Sequence, residues 1–113
     1  MRIKCFCDLY VSEDLKDKKE QVLENLTDTS AFHMPVFILT LAGGGHNQLE
    51  FFSSVFLRQP YYEDKEIFVV GLAGSYFTAV GLVRQIFLEV MEKTKDTGIR
   101  EYIRGRQKAF EEN

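Results

Sequence analysis

The chain contains no tryptophan, two prolines and two cysteines among its 113 residues. It also lacks a long block of one charge, a long apolar run and a complete catalytic signature. Each absence narrows what the protein can be.

The two cysteines, Cys5 and Cys7, are two residues apart. In an extended chain such residues share a face, with parallel side chains and Cα atoms roughly 6.5–7 Å apart. That is the outer edge of disulfide geometry, so no disulfide is expected. Two thiols do not complete a tetrahedral metal site either. They read as small apolar side chains on the buried face of a strand. No metal and no cofactor is expected.

The 17 acidic and 14 basic residues give a net charge of −3, and the two signs are interspersed. The best basic cluster, Arg100, Arg104, Arg106 and Lys108, is diluted by Glu101, Glu111 and Glu112. A nucleic-acid reader concentrates basic charge on one face, so nucleic acid is not the expected partner. No stretch reaches the ~18 uncharged apolar residues of a membrane helix. No cleavable leader is visible, because Asp8 interrupts the first apolar run. A cytoplasmic protein without a membrane role is the expectation.

What is present is ordinary globular material. With 45% hydrophobic and 27% charged residues, the composition excludes a disordered chain. The length predicts one domain, residues 1–113, able to bury a core without staples. The aromatic content is phenylalanine and tyrosine alone, ten and five respectively.

Along the chain, Ile3, Cys5, Cys7, Leu9 and Val11 alternate with polar and aromatic neighbours, which predicts a half-buried strand. Ser12 then precedes a helical pattern with Leu15, Val22, Leu23 and Leu26, ended by residues 27–30. Residues 35–42, PVFILTLA, read as a strand buried on both faces. After Gly43, Gly44 and Gly45, the spacing of Leu49, Phe52, Val55 and Phe56 predicts a helix of about three turns, stopped by Pro60. Ile67 to Ala73 reads as another doubly apolar strand. Gly74 and Ser75 break it and cap a helix from Tyr76 to Lys95, with a stripe of Tyr76, Ala79, Val80, Val83, Ile86, Phe87, Val90 and Met91. Gly98 ends that helix. A short last helix carries Ile99, Tyr102 and Ile103, and a flexible tail is expected over about 105–113.

The expected fold is therefore α/β, in the order β-α-β-α-β-α-α. It has a small three-stranded, mostly parallel sheet flanked by helices. The first strand, with Arg2, Lys4 and Asp8, belongs at an edge. A sheet this thin leaves apolar surface for a partner to cover. Phe77, Leu82 and Leu88 also fall off the main stripe of their helix, so that helix is apolar around much of its circumference. A homo-oligomer, foremost a dimer, or a protein partner is expected.

In open α/β sheets, ligands sit beyond the carboxyl ends of the strands. The residues there are Gly43, Gly44, Gly45, His46 and Asn47 after the second strand, and Gly74 and Ser75 after the third. If those strands are adjacent, two glycine turns opening helices would offer free N–H groups to a small anionic ligand. Neither turn matches G-x-G-x-x-G or G-x-x-x-x-G-K-[ST]. His46 and Glu50 form an i, i+4 pair, and a metal there would want Cys7, Asp8 or His33 as a further ligand. Without chemistry, Asn47 caps the helix and Glu50 completes a capping box. Ser75 would need His46 as its base to act as a nucleophile. Ser53 and Ser54 lack a nucleophile elbow. No catalytic residue is assigned. The leading reading is an interaction or oligomerisation module without catalytic activity. The alternative is an anion- or phosphate-binding domain, or a small enzyme, using the glycine turns with His46.

Overall fold

The computed structural model describes residues 1–28, 33–42 and 48–113. The expected turn residues Gly43, Gly44, Gly45, His46 and Asn47 lie outside the described residues. The architecture is α/β, with a four-stranded mixed sheet in the order β1-β4-β2-β3. The strands are β1 (Arg2–Val11), β2 (Phe37–Leu41), β3 (Leu49–Ser53) and β4 (Glu66–Ala73). The α-helices are α1 (Lys19–Thr27), α2 (Tyr76–Thr94) and α3 (Ile99–Glu111).

The expected sheet and the expected second helix are corrected. The sheet has four strands rather than three, and only β1 and β4 are parallel; β4–β2 and β2–β3 are antiparallel. The helix expected after Gly45 is instead β3, followed by 3-10 turns at Ser54–Arg58 and Pro60–Tyr62. The reason lies in the two-sided burial of β3. Leu49 and Phe51 join the core under α2, while Phe52 joins the core on the opposite face. A strand apolar on both sides carries hydrophobic residues at helical and extended spacings alike, so the periodicity fits either. Gln48 leads directly into β3, so no helix begins there. The connection runs between antiparallel neighbours, and Ala42 N–H donates to the Gln48 carbonyl at 3.0 Å.

β1 lies at a sheet edge. Its register with β4 is regular from Arg2 to Cys5 and resumes at Tyr10, so residues Phe6 to Leu9 stand against Val70 alone. This large bulge overturns the expected alternation. Phe6 is nearly fully buried, while Cys5 and Cys7 are half-buried on opposite faces. A bulge re-aims the side chains that follow it, which period-two counting does not anticipate.

The sheet separates two apolar cores. On one face α2 and α3 cover Phe6, Leu39, Val70 and Ala73, with Ile86, Val90 and Ile103 from the helices. On the other face Leu15, Leu26, Val36 and Leu57 cover Ile38, Val69 and Leu72. The segment after Ser12 is a 3-10 turn (Glu13–Lys18) running into the short α1, rather than one continuous helix. α3 continues through Gly105 to Glu111 and lies against β1. The Gln107 side-chain oxygen accepts from Cys7 N–H at 2.7 Å, inside the bulge. Arg106 bonds Asp8, and Lys4 donates to Glu111. No helix among the described residues is long and apolar enough to cross a membrane.

Candidate functional site

The carboxyl ends of the parallel strands β1 and β4 meet at Ser12, Gly74 and Ser75. Gly74 N–H donates to Ser12 Oγ at 3.2 Å, and the Ser12 hydroxyl donates to the Asp14 carboxylate. Ser75 is the N-cap of α2. Its Oγ accepts from Thr78 N–H at 3.1 Å, and its own N–H donates to Thr78 Oγ1 at 3.0 Å. This reciprocal pair is a capping box. The Asp14 carboxylate thus stands beside the N-terminus of α2, where negative charge is favoured. The amides of Gly74 and Ser75 are engaged by the chain itself.

Because β2 runs antiparallel to β4, Phe37 pairs with Ala73, so Leu41 at the carboxyl end of β2 lies at the opposite end of the sheet from Gly74. His33, the described histidine, faces Asp28 at 3.2 Å. Asp8 faces Arg106 rather than a metal-ligand partner. Among the described residues, no three His, Cys, Asp or Glu side chains converge.

A cleft of about 590 Å³ opens at the other end of the sheet, which sequence reasoning missed. β2 pairs with β4 only as far as Leu39 and Gly71, and the hairpin diverges beyond that point. Arg104 and Lys108 of α3, Tyr61, Tyr62, Glu50 and Phe68 line the opening. The Lys4–Glu111 bond, 2.5 Å, closes one side; each partner holds the other in its charged form, raising the Lys4 pKa and lowering that of Glu111. Nothing in the sequence signals the divergence of two strands, so this cleft had no local signature.

The third feature is the outer surface of α2. At about 100° per residue, Ala79, Leu82, Ile86 and Val90 form one stripe, and all four are buried. Six other large apolar side chains of the same helix are exposed. Phe77 is 84% exposed, Tyr76 65%, Leu88 52%, Val80 45%, Phe87 40% and Met91 37%. The sequence places Tyr76, Val80, Phe87 and Met91 in the core stripe and Leu82 outside it; the structure reverses both. Sheet geometry decides this. α2 lies over β4 and β2, and its buried stripe is centred on Ile86.

The exposed residues divide by direction. Phe77 and Leu88 lie opposite the buried stripe and form a ridge facing away from the sheet. Tyr76, Val80, Phe87 and Met91 form a flank. The flank faces β3, because Tyr76 meets Phe51 edge-on at 5.4 Å and Phe37 at 6.2 Å. Tyr10 donates to Glu89 on the opposite flank, toward β1. α3 runs from the start of β3, where Arg100 N–H donates to the Gln48 side chain at 3.1 Å, across to β1, and Leu49 and Phe51 of β3 remain half-covered. An apolar trough results, walled by the α2 flank and floored by β3.

The exposed fractions of these six residues correspond to roughly 600 Å² of surface, at the upper limit for the largest patch on an ordinary monomer. Arg84 lies between Phe77 and Leu88, and Leu88 also borders Gln85, Glu89 and Glu92. No family model, curated protein or solved structure matches the chain.

Proposed function

We propose that this protein is an interaction module that self-associates through the outer surface of α2, without a catalytic role. The observation that carries the reading is the second apolar face of α2, with Phe77 84% exposed beside Tyr76, Val80 and Leu88. A helix flanking one sheet needs one apolar stripe. α2 has its stripe in Ala79, Leu82, Ile86 and Val90, and carries six large apolar residues besides. Apolar surface of this size drives association, because water is released from both partners. The engagement of Gly74 and Ser75 by Ser12, Asp14 and Thr78 favours this reading over an anion site at that turn.

Light scattering on the intact chain at tens of micromolar tests the proposal. The expected mass is twice that of one chain. Phe77→Glu with Leu88→Glu is expected to give the single-chain mass with an unchanged circular dichroism spectrum. A wild-type chain that stays monomeric at that concentration overturns the reading.

A further inference from the structure

We infer that the partner is a second copy of this chain and that each copy's α2 fills the trough over the other's β3, on the reading that the α2 surface self-associates. The three apolar surfaces of the trough region then have three distinct uses. On the sheet face under α2 and α3, α3 reaches only the start of β3, where Arg100 N–H donates to the Gln48 side chain at 3.1 Å, and Leu49 and Phe51 stay half-covered. The α2 flank of Tyr76, Val80, Phe87 and Met91 forms the side wall of that gap. The occupant must therefore be a helix with one apolar side for the wall and another for the floor.

The helix α2 itself meets that requirement. A two-fold axis running between two copies sets the α2 helices side by side, flank against flank. Each is then held between its own sheet and the partner's. Its buried stripe rests on its own β4 and β2. Its ridge, Phe77 and Leu88, points away from its own sheet and so meets the β3 face of the opposite sheet. The same patches meet reciprocally, as a closed two-fold interface requires. The roughly 600 Å² from α2, with the open parts of Leu49 and Phe51 added, approaches the ~800 Å² per partner of a standard stable interface. α1 and α3 cannot serve. Leu26 of α1 is buried on the far face, and α3 buries Ile99 and Ile103 against the core and fastens to β1 through Gln107 and Arg106.

Photo-crosslinking of the full chain, with mixed isotope labels to mark bonds between copies, tests this seating. Benzoylphenylalanine in place of Leu88 is expected to attach to residues 49–53 of the other copy. The same probe in place of Phe87 is expected to attach to the other copy's α2. Light scattering on each probe-bearing chain establishes its mass. Dimers in which the Leu88 probe attaches only to α2, or to α1 and the other sheet face, overturn this seating and leave self-association standing. Monomers, in the wild-type chain as well, overturn both. Dimers with the expected pair of attachments support the inference.

Discussion

The carboxylate of Asp14 occupies the space that a side chain on Gly74 would need, so a methyl group built there collides with Asp14 Oδ2 and Cγ. The contact joins the turn after β1 to the turn after β4, with Ser12 between them through its bonds to both. Gly74→Ala is therefore expected to push Asp14 away from Ser12 and lower stability by about 1–2 kcal/mol, the value of a partly buried hydrogen bond lost with its partner stranded. In an Asp14→Ala background the same change has room, and its cost is expected to fall below about 0.5 kcal/mol. Urea unfolding of the four proteins in this cycle measures the coupling. Equal costs in the two backgrounds contradict it.

The β1 bulge depends on α3 in the same way. Cys7 N–H has left the ladder with β4 and donates to the Gln107 side chain instead. Gln107→Leu keeps the bulk and removes the acceptor, leaving a part-buried amide unsatisfied, which costs about 1–3 kcal/mol. Hydrogen exchange localises the effect. The Cys7 amide is expected to lose protection while Val69, in the regular part of the sheet, keeps its rank among the slow amides. Unchanged exchange at Cys7 would show that the amide finds its partner elsewhere.

Tyr10 supplies a pH dependence. Burial first, and then its bond to the Glu89 carboxylate, hold the Tyr10 pKa above its ordinary value. The folded state thus keeps the phenol protonated after the unfolded chain has begun to lose that proton. The contribution is complete below the unfolded value of about 10 and is lost as pH rises through the folded value. Stability is expected to fall above about pH 10, and Tyr10→Phe is expected to flatten part of that fall. The check is the urea midpoint of both proteins from neutral pH to pH 11. Parallel curves would exclude Tyr10 as a source.

How much of this was legible in the sequence follows from the range of the forces involved. The first strand, the strand ending at Ala73 and the helix opened by Ser75 carry local signals, and all three are found close to their expected bounds. The edge position of β1 followed from Arg2, Lys4 and Asp8. The failure at Leu49–Ser53 has one cause. Leu49, Phe51 and Phe52 are all apolar because β3 touches a core on each face, so the alternation that marks a half-buried strand is erased. The parallel sheet then followed wrongly, since a helix between two strands implies a crossover whereas a hairpin implies antiparallel neighbours. Three glycines between two short apolar runs is itself a hairpin signal, and it is the local feature that could have redirected the reading. The bulge at residues 6–9 and the divergence of β2 from β4 are tertiary, and no short stretch encodes them.

The two apolar faces of α2 are expected to respond differently to loss of side-chain volume. Ile86 is fully buried and Leu88 is half exposed on the same turn. Ile86→Ala removes contacts within one chain and leaves a cavity, at a cost of about 2–5 kcal/mol that does not depend on concentration. Leu88→Ala opens no cavity in the single chain, so its effect on folding in dilute solution is expected to stay within about 0.5 kcal/mol. In the proposed two-fold dimer its effect on association is expected to be larger, because each copy's Leu88 loses its contacts. The midpoint of thermal unfolding is expected to rise with protein concentration for the wild type. Leu88→Ala is expected to flatten that dependence, and Ile86→Ala to lower the whole curve while preserving its slope. If the wild-type midpoint does not move with concentration, the outer face of α2 does not join two copies in solution.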